Sequence, residues 1–473
     1  MNKDKISYYF ILILTFSAYI LLTIPHIDTG NYPEFKFLII GLAPIVLFIL
    51  YKASKYIIDI NIWLISLSAF CIYMFWGIYA SPIPYSDFLD FYTHSVQLAI
   101  NGDIKTLYDT KSPGTIVYYA LFVALFGKSH YVFYIASSLI WALQIPLIYT
   151  ILDNFKIEKN RKKFITLLYA FYPGTIFYAT VISSESVFLF LLLLSLYYIS
   201  KVYNDSLKST DSIVFGLTMG VFFLTRSSAL LFIATFFIYI IFKEYRNKKK
   251  LLLLFLSFSM IISMQLFLNI KYENKVSIAT SPWGQYVFLN GTNYETKGQY
   301  SSSDLILAGF IGTNKVSMEQ AQKNAITIAI TRISNDPLKF IQFALTDKIN
   351  SLWGTDTHNI RWSIGESPRK EEIRKQVLVG MGILDTVFFM IKVCGLLYLI
   401  TILFNYKYYY KEHKNILNFI IIMVIPLLLL SVLHIFIEVQ SRYHMPFMPF
   451  LIIITGMFIF EIDHILKYRI KRG

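Results

Sequence analysis

The sequence predicts an all-α polytopic membrane protein of about twelve transmembrane helices, and three observations predict it. Of 473 residues, 56% are hydrophobic and only 15% charged, where soluble domains carry about a quarter charged residues. The apolar residues come in blocks, many near the ~20 residues that cross ~30 Å of hydrocarbon. The basic residues gather in short loops between those blocks. The formal net charge of +14 therefore reads as an orientation signal, not as a footprint for nucleic acid.

The blocks place helices at roughly 7–24, 37–51, 57–80, 131–152, 164–182, 186–200, 211–224, 228–242, 251–269, 384–404, 416–437 and 445–464. The first follows MNKDK and shows no small-residue cleavage site, so it reads as a retained helix. NKDK, KASK, KIEKNRKK, KVYNDSLK, KEYRNKKK, YKYYYKEHK and LKYRIKRG alternate with loops of balanced charge. With the basic set in the cytoplasm, both termini lie there too. The segment TIVYYALFVALFG, 115–127, decides the parity, because as a span it would put KIEKNRKK outside. It is short and rich in Tyr and Phe, which suits an interfacial helix on the outer side.

Four regions follow. Residues 1–56 supply two extra N-terminal helices. Residues 57–270 form a transmembrane core with a catalytic outer loop at 81–130. Residues 271–383 are too long for a plain connector and predict a small outer cap domain. Residues 384–473 supply the C-terminal helices. Within the cap, SPWG, NGTN and KGQY read as turns, MEQAQKNAITIAITRI as an amphipathic helix, NDP as a break and PLKFIQFALTDKINSLW as a second helix. Cys71 and Cys394 both fall in apolar blocks and suggest neither a disulfide nor a metal site.

The candidate chemistry lies on the outer face. In YSDFLDFYTHSVQLAINGD, Asp87 and Asp90 are spaced i, i+3 and His94 continues their helix face. The plain alternative is local: Ser86 or Asp87 caps the helix and Asp90 complements its dipole. Lys111 opens the interfacial segment in KSPG, where an ammonium would meet a phosphate or simply anchor at the interface. Glu185 in SSES sits where an unpaired acid is costly. Arg226 in LTRSS and the group Glu438, Arg442, Tyr443 and His444 in FIEVQSRYHMPF complete the set, and arginines at such a boundary suit an anion. Each signal is weak alone. Together they bring carboxylates and cations to one membrane face at the ends of several helices. FGKS at 126–129 is only half of a phosphate loop, and no HExxH, CxxC, GxSxG or GxGxxG element stands in a usable context.

The order of these features resembles the GT-C superfamily of polytopic glycosyltransferases, which includes protein O-mannosyltransferases and the aminoarabinose transferases of lipid A. The resemblance rests on Asp87, Tyr92, Ala99, Gly102-Asp103, Lys111-Ser112-Pro113-Gly114 and Phe126-Gly127, then SSESVFLFLLLL, GQYVFLNGTNYETKGQY, NDPLKFIQFALTDKINSLW and QSRYHMPFMPFLIII. It runs from about residue 81 to 464. Three features depart from it: the two extra N-terminal helices, SDFLD in place of adjacent Asp-Glu, and Lys111 two residues before Pro113 rather than next to it.

The resemblance implies transfer of a sugar from a polyprenyl-phosphate donor to a glycan, lipid or protein acceptor outside the cytoplasm, with inversion, in the bacterial cytoplasmic membrane. A single displacement needs a base at the acceptor hydroxyl and cations at the departing phosphate. Asp87 is the expected base, Asp90 its rival, and Glu185 a second cavity carboxylate. Lys111, Arg226 and Arg442 are expected on the phosphate, and Tyr92, His94, Tyr443 and His444 around the acceptor cavity. Some relatives use a divalent metal ion. Asp87, Asp90, His94 and His444 would be its ligands here, though no spacing compels one, and no other cofactor is implied. The expected partners are the donor, the acceptor and membrane lipids. Two other readings stand beside this one. A lipid-linked polysaccharide polymerase or ligase would rely on arginines of the large loop such as Arg332 and Arg361. A transporter or flippase would show paired halves, which the sequence lacks.

Overall fold

In the computed structural model, residues 61–107, 112–244, 246–281 and 283–470 are described, together with Ile49 and Lys52. The expected helices at 7–24 and 37–51, both termini and Lys111 lie outside the described residues. Every described regular element is helical. Seven helices are long and apolar enough to cross a membrane, and the protein is an integral membrane protein.

The chain runs through α1 (Ile62–Ala80), α2 (Asp87–Asn101), α3 (Pro113–Phe126), α4 (His130–Asn154), α5 (Lys159–Ala170), α6 (Pro173–Tyr178), α7 (Ser184–Tyr203), α8 (Ser209–Thr225), α9 (Ala229–Glu244) and α10 (Lys248–Glu273). Short helices follow: α11 (Gly284–Gly291), α12 (Ser302–Ala308), α13 (Met318–Asn335), α14 (Pro337–Phe343), α15 (Ile349–Trp353) and α16 (His358–Ile364). The last are α17 (Arg374–Phe404), α18 (Tyr406–Glu412), α19 (Lys414–Phe436) and α20 (Met448–Ile470). The spans α1, α4, α7, α10, α17, α19 and the segment Ser441–Glu461 meet the length and hydropathy of a crossing; α3 and α8 are apolar but shorter.

The expected span at 164–182 is interrupted. Helix α5 stops at Ala170, and Pro173 opens α6 after a break. Proline removes an N–H and pushes the residue before it, Tyr172, into extended backbone. Residues 179–183 then run without helix to Ser184.

The tightest pairing joins α8 to α10, and glycine makes it possible. A Cβ on Gly216 would fall 2.0 Å from Ser257 Oγ and 2.3 Å from Leu254 O. One turn on, a Cβ on Gly220 would fall 2.5 Å from Ile261 Cβ. Small residues four apart let two backbones approach where lipid gives no hydrophobic drive. Along its other side α10 exposes Leu252, Leu256, Met260, Met264 and Phe267, an apolar stripe suited to lipid.

The two ends of the bundle differ in chemistry. At one end the basic loops pair locally and across helices: Arg161 with Glu461 at 2.8 Å, Lys201 with Asp211 at 2.8 Å, and Lys250 with Glu244 at 3.1 Å. At the other end lie the starts of α2, α7 and α9 and the turn between α19 and α20.

The segment between α10 and α17 has a small cluster of its own: Tyr286, Leu289, Leu305, Phe310 and the alanines 308, 321, 325 and 329. Alanines 321, 325 and 329 recur every fourth residue, the amphipathic spacing expected of this stretch. Asp336 caps α14 through the Lys339 N–H at 3.0 Å, with Pro337 at its first position, so the NDP break stands. The second helix of the region is in two parts, α14 and α15, joined by a π turn at Ala344–Lys348.

Candidate active site

Four segments distant in sequence bring charged side chains to one place. Glu185 stands in the first turn of α7, 5% exposed, where the helix dipole favours an anion. Thr225 ends α8, and Arg226 adopts extended backbone (φ −158°, ψ 142°), which leaves the helix path just before α9 begins. Arg226 Nη1 donates to Glu185 Oε1 at 2.6 Å and to Ser184 Oγ at 3.2 Å. Arg442 Nη2 reaches Asp87 Oδ2 at 3.2 Å, and its Nε lies 3.9 Å from Glu185 Oε1. Tyr178 donates to Glu185 Oε2 at 3.4 Å.

Aromatic rings line this charge. The Arg442 guanidinium lies 5.3 Å from the Phe88 ring centre, 5.0 Å from Trp362 and 5.6 Å from Tyr443. Arg226 faces the other side of the group, 5.3 Å from Tyr443. Such contacts add about 0.5–2 kcal/mol each where water is excluded. A planar arginine so held presents a fixed fork for an oxyanion.

The turn carrying Arg442 is a 3-10 helix, Ser441–Phe447. Its three-residue period eclipses i and i+3. Arg442 and Met445 therefore share a side, and both line an open cavity of about 320 Å³ with Glu185, Arg226, Tyr443 and His434. His444 and Phe447 share a different side and pack against Trp353, at 5.3 and 4.9 Å.

This geometry sorts the residues expected from sequence. Asp87, Glu185, Arg226, Arg442 and Tyr443 come together. Asp90 is exposed in the first turn of α2. Ser86 makes no side-chain cap, while Asp87 and Asp90 both stand in the first turn of α2, where an acid complements the helix dipole. Tyr92 turns to the Lys128 carbonyl at 3.1 Å and stacks on His130, away from the charged group. His94 is half-buried, its Nδ1 enclosed without a hydrogen bond. His444 is fully buried, Nε2 2.8 Å from Asp356 Oδ1 and Nδ1 2.8 Å from the Leu352 carbonyl. It fastens the turn from behind rather than lining the cavity.

The four expected metal ligands are thus dispersed. Among the described residues, no three His, Cys, Asp or Glu side chains converge on a possible metal position. The arrangement does not fit a bound ion, and no step below is routed through one.

Sequence reasoning missed a second polar group directly behind the first. Asp356 is buried between His444 and the Tyr172 hydroxyl, which donates to its Oδ2. Asp385 accepts from Thr355 Oγ1 at 2.7 Å and from the Asp356 N–H at 3.1 Å. Lys392, fully buried in α17, donates to the Trp353 carbonyl at 2.9 Å. The signal for Lys392 was present, since a lysine inside an apolar span marks a position with a purpose. His434 was missed as well, being one polar residue within an apolar run. Nearby, burial together with repulsion from Arg361, Arg442 and His444 pushes the His358 imidazole down to about 4.

Residues 110–268 match the model of the family described as dolichyl-phosphate-mannose-protein mannosyltransferase. The match covers Lys111, Glu185 and Arg226 and bears out the resemblance to membrane glycosyltransferases. Asp87 and Arg442 lie outside the matched segment. No curated protein and no solved structure matches the chain.

Proposed function

We propose that the protein transfers a sugar from a polyprenyl-phosphate donor to a hydroxyl of an extracytoplasmic acceptor, with inversion at the anomeric carbon. One observation carries this reading: two arginines and two carboxylates from four separate segments meet beside one open cavity, at the end of the bundle opposite the basic loops. By the positive-inside rule that end faces away from the cytoplasm.

The chemistry follows from the charges. Cleaving the anomeric C–O bond leaves negative charge on the phosphate oxygen. Arg226 and Arg442 stand ready to take that charge, with Lys111 as a third cation. Oriented cations in a site that excludes water stabilise developing charge without reorganisation. Glu185 orients both arginines. Asp87, paired with Arg442, accepts the proton of the attacking hydroxyl. In the transfer the acceptor O–C bond forms as the phosphate O–C bond breaks, and the proton passes to the Asp87 carboxylate.

The test is transfer by purified protein from labelled polyprenyl-phosphate mannose to membrane-envelope acceptors. Asp87→Asn should lower the rate by about 10²–10⁴-fold, the usual contribution of a general base. Undiminished transfer by that variant would remove Asp87 from the mechanism. A polymerase or ligase that relied on Arg332 and Arg361 would lose activity on their replacement instead. Arg332, however, is spent on Asp304 in two bonds of 3.0 and 2.7 Å.

A further inference from the structure

The cavity beside Arg226 and Arg442 is lined also by Phe188, Leu189, Ser228, Leu430, His434, Tyr443, Met445 and Pro446. It is open to solvent, and the space of about 320 Å³ that it marks out includes that open solvent. Most of its polar groups are already committed. Glu185 accepts from Arg226, Tyr178 and Ser184. The Tyr443 hydroxyl donates to Glu438 Oε1 at 3.2 Å. Ser228 brings a hydroxyl, which can act either way.

His434 differs from all of these. It stands near the end of α19 and is 7% exposed, its ring 5.9 Å from that of Tyr443. Its Nδ1 lies 2.8 Å from the Leu430 carbonyl one turn back on its own helix. A carbonyl only accepts, so Nδ1 carries the hydrogen. In the neutral imidazole Nε2 is then a bare lone pair. Among the described residues Nε2 makes no hydrogen bond, and the ring's bonded edge is turned back along α19. A buried acceptor thus opens on a cavity that two arginines also line.

An anion alone would leave that lone pair unmatched, and an unmatched polar atom costs free energy once a ligand displaces water. A ligand that satisfies both features carries a negative group for the arginines and a hydroxyl donor a few ångströms away. We propose that His434 reads a hydroxyl of the sugar on the phosphate-linked donor, so that the site tells a glycosylated phosphate from a bare one. This rests on the reading of the arginine pair as the phosphate site. His434 then determines specificity; it does not move the proton.

The experiment compares two probes, polyprenyl phosphate and polyprenyl-phosphate mannose, by binding to the full chain in detergent. The quantity read is the ratio of the two Kd values. His434→Asn keeps a donor near the Nδ1 position but removes the acceptor at Nε2. His434→Gln reaches the Nε2 position with its amide oxygen. His434→Asn should shift the ratio by about three- to tenfold against the mannosylated lipid, as expected for one neutral hydrogen bond, and His434→Gln should restore most of it. An unchanged ratio in His434→Asn, or equal loss in both variants, overturns the assignment. Failure of the wild-type chain to bind bare polyprenyl phosphate overturns the arginine site itself, a result separable from an unchanged ratio.

Discussion

Two buried groups of charge stand back to back in this bundle and are built differently. In the front group, Glu185, Arg226 and Arg442 line an open cavity, Asp87 pairs with Arg442, and valences are left over. Arg442 Nε has no hydrogen-bond partner, and its approach to Glu185 is 3.9 Å. Nε2 of His434 also makes no hydrogen bond among the described residues. In the rear group, both nitrogens of His444 and both oxygens of Asp356 are engaged, and the His444 ring packs against Phe388 and Trp353, ring centres 4.6 and 5.3 Å away. The rear group borders a cavity too, lined by Tyr172, Asp356 and Asn359 among others, so the difference lies in the valences: His444 and Asp356 spend theirs on the fold, and the front group keeps some in reserve.

The first way to break this contrast is Asp356→Leu. It strands His444 and the Tyr172 hydroxyl without their acceptor, and removing one partner of a buried pair costs about 3–5 kcal/mol. Thermal unfolding in detergent should fall steeply. Asp87→Leu, at a residue 33% exposed, should shift the midpoint far less while abolishing transfer. Equal losses of stability would erase the distinction between the two groups.

Next in size is Arg442→Lys. The ammonium keeps the charge but loses the planar fork and the stacking on Phe88 and Trp362. Transfer should drop by about 10²–10³-fold, comparable to losing one oxyanion donor, with the unfolding midpoint only modestly lowered. A rate within threefold of wild type would mean that Arg442 serves packing, as His444 does.

Much of the front group was legible in the sequence, and the reason is topological. Apolar blocks and loop charge fix which helix ends share a face, so Asp87, Glu185, Arg226 and Arg442 could be gathered without coordinates. The rear group was not legible. Asp356 lies in a short polar loop, TDTHN, whose depth no periodicity reports. His444 was misread because Arg442 and His444, two residues apart, diverge on a three-residue turn that the pattern RYHMPF does not announce. The break in 164–182 was announced by Tyr172-Pro173 and outweighed by the hydrophobic run around it. The Gly216 and Gly220 contact with α10 shows the same limit, since spacing suggests a close approach but not to which helix.

His358 offers a smaller effect that links the two groups through pH. Its imidazole stays neutral in the folded chain down to about 4, whereas an unfolded histidine takes up its proton near 6.5. Between those values the unfolded chain holds more protons, so acid favours unfolding and stability is lost as pH falls from about 6.5 toward 4. The slope should be at most about 1.4 kcal/mol per pH unit. His358→Phe should flatten that stretch of the stability–pH curve. A curve of the same slope in the variant would assign the acid sensitivity elsewhere.

The smallest expected effect separates the two aspartates of α2. Asp87 and Asp90 are both in its first turn, and each would complement the helix dipole by about 0.3–1 kcal/mol. Only Asp87 reaches Arg442; Asp90 is exposed. Asp90→Asn should therefore change the transfer rate by less than about threefold, near the ordinary range for surface substitutions. Measured beside Asp87→Asn, it isolates what position adds to an identical carboxylate one turn away. If Asp90→Asn instead gave the larger loss of transfer, the base would sit on the exposed side of α2, and the acceptor would approach from there rather than across the arginine cavity.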